Sequence, residues 1–200
     1  PYTTLFRSGD AASIFQYAHG GNDFLRAMGA DAALFGDALS LDGYTVTSSN
    51  RLATVVQGGN DLLIGGDGSD ALRGDSRDVS GGVVCGDDIL IGGAGNDDLR
   101  GDFVRDRSAQ DGVASNITRG ADVFVFAPGS DHDTIGDFQP GTDRIEIGRG
   151  FGFNSFAALR GHISDNGAGD AVIHLNGADD DVTLTGVHTA ALHASDFVFV

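Results

Sequence analysis

The 200-residue chain has no tryptophan, a single cysteine, a single methionine and three prolines, and its 12 basic residues are all arginine. Against them stand 29 acidic residues, a net charge of −17 that repels nucleic-acid phosphates and anionic membrane surfaces. Glu146 is the only glutamate, so the rest of the acidity is aspartate, which bonds its own turn backbone and is a poor helix former. The lone Cys85 excludes an internal disulfide framework, and no partner base marks it as a nucleophile. So few prolines exclude collagen and proline-rich linkers. No apolar run approaches the roughly 18 residues of a membrane span. The six histidines are scattered and no His-Glu-x-x-His occurs, so no zinc-hydrolase constellation is present and the chain is expected to carry no catalysis. There is no initiating methionine and no charged-then-apolar leader at the front. Pro1 to Ser8 instead resembles a translated sequencing adapter, being what CCC TAC ACG ACG CTC TTC CGA TCT encodes. These residues are expected to be extraneous, and the chain to be the C-terminal piece of a longer protein.

What the chain has in abundance is glycine, 32 residues, alongside 40% apolar residues, enough to bury a core. The glycine follows a repeat. Residues 65–73 and 92–100 both read Gly-Gly-x-Gly-x-Asp-x-apolar-x, 27 positions or three nonapeptides apart. In the same phase stand Gly59, Asp61 and Leu63, and again Gly86, Asp88 and Leu90. Residues 74–82 break the pattern, with Arg77 and Val79 where glycine and aspartate belong, and read as a degenerate row or a surface loop. Upstream, Gly21, Asn22, Asp23 and Leu25 repeat the relative positions out of phase, followed by Leu34 and Gly36-Asp37.

The chain divides into four segments: the extraneous 1–8, a partial repeat with an insertion over 9–55, the repeat block with a polar loop over 56–119, and a β-rich subdomain over 120–200. Within the insertion, 39–56 alternates as a strand pair would. In the last segment Val123–Phe126, Arg144–Ile147, Ala171–Leu175, Val182–Leu184 and Phe197–Val200 read as strands, and Asn154-Ser155 caps a short helix. The run Asn176-Gly177 to Asp181 reads as a hairpin connection with a solvated charge cluster, and His188–Ala194 as a second short helix.

The repeat dictates a chemistry. Glycine permits left-handed and closely packed backbone at no steric cost. About six turn residues and then three extended ones coil the chain so that short strands stack in parallel at roughly 4.8 Å. Leu63, Leu72, Leu90 and Leu99 then point inward. The turns gather carboxylates and carbonyl oxygens, a hard all-oxygen donor set that suits the six to eight ligands of Ca²⁺ better than the strict octahedron of Mg²⁺.

These rows resemble the repeats-in-toxin (RTX) nonapeptides, the hemolysin-type calcium-binding repeats of secreted bacterial proteins. The resemblance implies an all-β fold, a right-handed parallel β-roll with two nonapeptides per 18-residue coil and several Ca²⁺ ions between stacked turns. Carried onto this chain, it places Asp70 and Asp88 on one line of ions and Asp61 and Asp97 on the other, with Val79 interrupting the second. Ligand carbonyls are expected from Gly59, Gly66, Gly68, Gly86, Gly93 and Gly95, with Asp75 and Asp102 contributing where the next row opens. Gly21 and Asp23 form an outlying candidate, since Ala32 stands where the next row needs aspartate.

Residues 120–126, 133–138 and 141–145 are similar to the C-terminal domain of serralysin-type metalloproteases, and Asp122, Asp137 and Asp143 there either cap turns or complete a last calcium site. The final Asp196-Phe197-Val198-Phe199-Val200 resembles the uncleaved export signals of type I secretion. Taken together, these resemblances imply a calcium-dependent folding module exported by type I machinery from a Gram-negative bacterium to the extracellular space. Its parent is expected to be a secreted hydrolase or, alternatively, a non-catalytic adhesin or matrix protein.

Overall fold

A computed structural model describes residues 22–27, 31–37, 57–111, 115–176 and 179–200 in full, and elsewhere the backbone of the strands Thr4–Phe6, Ile14–Tyr17, Ser40–Thr47, Asn50–Ala53 and Val55–Gln57. The chain winds as a parallel β-roll. One sheet runs Thr4–Phe6, Phe24–Arg26, Leu62–Asp67, Ile89–Ala94, Val123–Phe126, Arg144–Ile147, Phe197–Phe199, every neighbour parallel. The opposing sheet runs Ile14–Tyr17, Ala32–Phe35, Ala71–Arg73, Asp98–Arg100, His132–Ile135, Asp181–Leu184 in parallel. It ends in the antiparallel strands Ala171–His174 and Ile163–Asp165. The triplet Thr4–Phe6, expected to be extraneous, lies in register beside Phe24–Arg26. An open roll edge leaves backbone N–H and C=O groups that any short extended segment can pair.

The alternation predicted from the repeats places one apolar residue per strand inside. Leu25, Leu63, Leu90, Phe124 and Ile145 lie side by side from one sheet, and Leu34, Leu72, Leu99, Ile135 and Leu184 from the other, all fully buried in one core. Each such side chain contributes about 1.5–3 kcal/mol relative to exposure. The β-rich C-terminal residues continue both sheets and this same core. Ser155 caps the helix Phe156–Leu159, its side chain accepting from the Ala158 N–H, which delivers Leu159 to the core, and Phe156 stacks on Phe197. The 188–194 segment is not one helix: a 3-10 turn, Thr189–Ala191, is followed by extended Leu192 and His193 and then by a second turn, Ala194–Asp196.

The coil length departs from the expected 18 residues. Leu62 pairs with Ile89 and Ala71 with Asp98, so the central coil takes 27. The reason lies in 74–82, which is neither a degenerate turn row nor a loop. Lacking the turn residues, it runs extended as Ser76–Val84 and forms a third side of the coil. This strand pairs in parallel with Ser40–Thr47 and Phe103–Asp106 through its first half, and with Val55–Gln57 and Asn116–Thr118 through its second. Val79, Val83, Cys85 and Phe103 make a separate small cluster beneath it, packed by Ile117. The segment 103–119 is thus not a plain loop: two strands and a single helical turn, Ser108–Asp111, occupy it. The 39–56 insertion is an antiparallel pair, Ser40–Thr47 with Asn50–Ala53, whose side chains lie outside the described residues.

Candidate metal centre

Five successive strands of the first sheet are entered through Asp-x-apolar, at Asp23, Asp61, Asp88, Asp122 and Asp143, and the aspartates stack. The N–H of Asp23 donates to Asp61 Oδ1 (2.6 Å), that of Asp61 to Asp88 Oδ1 (2.7 Å), that of Asp88 to Asp122 Oδ1 (2.9 Å) and that of Asp122 to Asp143 Oδ1 (3.2 Å). A second column stands at the turn between the sheets. There the N–H groups of Ala32, Asp70 and Asp97 donate to Oδ1 of Asp70, Asp97 and Asp133 at 2.6, 2.8 and 2.9 Å. One carboxylate oxygen of each aspartate therefore completes the backbone ladder across the turn.

The other oxygen is left over. Oδ2 of Asp61, Asp70, Asp88, Asp97 and Asp133 is buried and accepts no hydrogen bond. Burying an acceptor without a donor costs about 1–3 kcal/mol, more when it is charged, and here the deficit recurs in both columns, at Asp61 and Asp70 in one coil and at Asp88 and Asp97 in the next. Glycine makes the seat. A Cβ on Gly65 would stand 2.3 Å from Asp70 Oδ2 and 2.4 Å from the Gly92 carbonyl oxygen, and one on Gly92 would stand 2.1 Å from Asp97 Oδ2. The turn glycines also stack: Gly93 and Gly95, at φ of +112° and +114°, face the carbonyl oxygens of Gly66 and Gly68 at 2.0 and 2.1 Å from their missing Cβ positions. Gly86 faces the Gly59 carbonyl in the same way.

These placements correct the expected pairing. Asp61 stacks on Asp88 and Asp70 on Asp97, 27 residues apart rather than 18, and Val79 interrupts neither column because it sits inside the third side. The glycines expected to supply carbonyls pair as Gly59 with Gly86, Gly66 with Gly93 and Gly68 with Gly95. Asp23 heads the first column, Gly21 lies outside the described residues, and Ala32 opens the second column with no carboxylate. Asp75 and Asp102 belong to a third corner, where with Asp37 they accept the N–H groups of Gly86, Gly120 and Gly59. The nine-residue period does not single out Asp133, because insertions stretch its interval from Asp97 to 36 residues; its signal is the shared Asp-x-apolar of Asp133-Thr134-Ile135. Asp143 ends the first column with both oxygens bonded, to the N–H groups of Asp122 and Gln139.

Burial raises the aspartates from Asp61 and Asp70 onward out of the carboxylate range. Asp70 rises to about 6, Asp61 and Asp97 to about 7, Asp133 to about 8 and Asp122 to about 9, desolvation leading in each and neighbouring carboxylates adding to it. Asp88 rises strongly, from desolvation first and then the charge of Asp75. An acid whose pKa rises on folding keeps a proton that the unfolded chain has released, so stability falls as pH climbs from about 4 through the folded values. In chelator, the folded fraction read by far-UV dichroism is therefore expected to grow from little at pH 8 as pH is lowered to 5. With saturating Ca²⁺ it should stay flat over that window, because folded and unfolded carboxylates are then both ionised. A flat profile in chelator would contradict the buried columns.

No family model matches the chain, and no curated protein matches it. Solved structures do. The extracellular lipase LipA of Serratia marcescens aligns over the whole chain at 13% identity and a TM-score of 0.46, and the chain spans 42% of that lipase. The AlgE6R2 subunit of the Azotobacter vinelandii mannuronan C5-epimerase aligns over 72% of this chain and 91% of its own length, at 26% identity and a TM-score of 0.41. The AlgE6R3 subunit of the same epimerase aligns over 96% of this chain and 86% of its own, at 22% identity and 0.29. Among the described residues, no helix is long and apolar enough to cross a membrane.

Proposed function

We propose that the chain is a calcium-dependent folding and export module of a larger secreted bacterial protein, without catalysis of its own. The observation that carries the reading is the recurrence of buried carboxylate oxygens with no donor, at Asp61 and Asp88 in one column and Asp70, Asp97 and Asp133 in the other. A hard divalent cation between successive turns supplies what each lacks, and the facing carbonyls of Gly59, Gly66 and Gly68 and their partners one coil on are donors of the same kind. Without the ion, crowded carboxylates and a glycine-rich chain with much conformational entropy to lose favour the unfolded state. With it, binding free energy becomes folding free energy.

Extracellular calcium modules bind at about 10⁻⁴ to 10⁻³ M, so the roll stays empty in cytosol and fills outside the cell. The C-terminal tail fits this order of events. In the fold Asp196 is fully buried, accepting from the N–H groups of Gly141 and His193, and Phe197 packs in the core. A type I export machinery that reads this tail meets it only in the calcium-free chain. Limited proteolysis tests the reading: the chain is expected to be digested in chelator, to resist in millimolar Ca²⁺, and to be digested again in Mg²⁺. Equal resistance in chelator would overturn it.

A further inference from the structure

On the outer face of the second sheet, three neighbouring strands carry imidazole and carboxylate in one line. His132 pairs in parallel with Asp181, and Asp181 pairs antiparallel with His174, so the carboxylate stands between two histidines on adjacent strands. All three side chains face outward, because Asp133, Val182 and Ile173 beside them are the buried members of each alternation. His132 Nδ1 lies 3.1 Å from Asp181 Oδ2. The hairpin between Ala171–His174 and Asp181–Leu184 fixes the other half of the line. The Leu175 N–H donates to the Asp180 carbonyl (2.9 Å), whereas the Asp181 N–H turns the opposite way, to the Asp131 carbonyl (2.9 Å). His174 and Asp181 are therefore a non-hydrogen-bonded pair, the kind whose side chains approach most closely across an antiparallel ladder. The His174 ring turns its Nε2 to Ser164 Oγ, 3.2 Å away on the exposed edge strand Ile163–Asp165.

We propose that His132, Asp181 and His174 form a surface site for one divalent transition ion of the zinc class, with His174 swinging from Ser164 onto the ion. Imidazole nitrogen is a good donor to Zn²⁺ and is foreign to the all-oxygen cages that suit Ca²⁺. An ion bound at about 2.0–2.2 Å by nitrogen and oxygen sets its donors about 3.4 Å apart, close to the spacing already present between His132 and Asp181. The swing of His174 gives up one solvent-exposed hydrogen bond to a hydroxyl. Neutral imidazole needs only the tautomer with its proton on the nitrogen away from the ion, so neither ring has to lose a proton. The net charge of −17 draws cations to the surface. Asp133, although next to His132 in the chain, turns inward to the N–H of Asp97, so this site shares no ligand with the calcium columns.

The test titrates Zn²⁺ by calorimetry into the full, untagged chain in saturating Ca²⁺, which keeps the columns occupied. One Zn²⁺ is expected to bind per chain. His132→Ala, His174→Ala and Asp181→Asn should each weaken that binding at least tenfold, while His188→Ala, at an exposed histidine outside the line, should leave it unchanged. Far-UV dichroism of the same samples tells loss of the site from loss of the fold. Asp181→Asn keeps the size of the side chain and so provides a reading even if an alanine variant fails to fold. No Zn²⁺ uptake by the folded parent chain, or unchanged affinity in any folded variant of the three, overturns the proposal. The site depends on the roll being folded and not on which ion folds it, so its failure and that of the calcium reading are separate results.

Discussion

Asp88→Ala is expected to shift the calcium midpoint for folding upward by at least tenfold, or to abolish folding within the millimolar range. Asp88 sits mid-column, accepting from Asp61 at 2.7 Å and donating its own N–H to Asp122 at 2.9 Å. Truncation leaves the buried Asp61 N–H without an acceptor, a cost of about 1–3 kcal/mol, and removes a carboxylate oxygen from the column. Each 1.4 kcal/mol corresponds to about a tenfold change in an equilibrium constant. Asp88→Asn separates the two contributions. It keeps an acceptor for Asp61 while deleting the charge that faces Asp75 and Asp122, so it should be more stable than the parent in chelator and less responsive to Ca²⁺. Asp67→Ala, at the exposed end of the strand Leu62–Asp67, should leave the midpoint unchanged. A calcium titration of the three variants by dichroism checks this; equal midpoints for Asp88→Ala and Asp67→Ala would contradict the column.

Gly74→Ala should be among the most damaging single methyl groups in the roll. Its Cβ would stand 2.0 Å from Asp88 Oδ2 and 2.0 Å from the Gly101 carbonyl oxygen. The second is backbone and cannot swing aside, since adjacent coils are held there by the Gly74 N–H on the Arg100 carbonyl at 2.9 Å. Overpacking typically costs 1–3 kcal/mol and more where backbone must move, so a loss of about 3 kcal/mol or greater is expected in denaturant unfolding at saturating Ca²⁺. Gly161→Ala, with nothing within 4 Å of its Cβ, should stay within about 0.5 kcal/mol of the parent. Similar losses for the two variants would mean that the coils are not packed this closely.

Much of this arrangement is legible in the residues. Gly-Gly-x-Gly-x-Asp-x-apolar marks the turn, the carboxylate and the inward leucine, and the structure puts all three where local chemistry requires. The strands Val123–Phe126 and Arg144–Ile147 arise from their β-branched and aromatic alternation. What a nine-residue period does not encode is the number of sides per coil. Ser76–Val84 keeps the spacing but replaces turn residues with a Val79 and Val83 alternation, so it extends, lengthens the coil and re-pairs every aspartate. The strand His132–Ile135 is hidden for a related reason: only Asp133 and Ile135 face inward, and polar His132 and Thr134 mask the alternation.

The most direct measurement reads bound calcium and far-UV dichroism on the same sample of the full chain during one titration. Uptake of more than one Ca²⁺ ion per chain, with a cooperative gain of β signal in step with it and no such gain in Mg²⁺, is the predicted result. A complete β signal in excess chelator, with no calcium taken up on addition, would contradict the account.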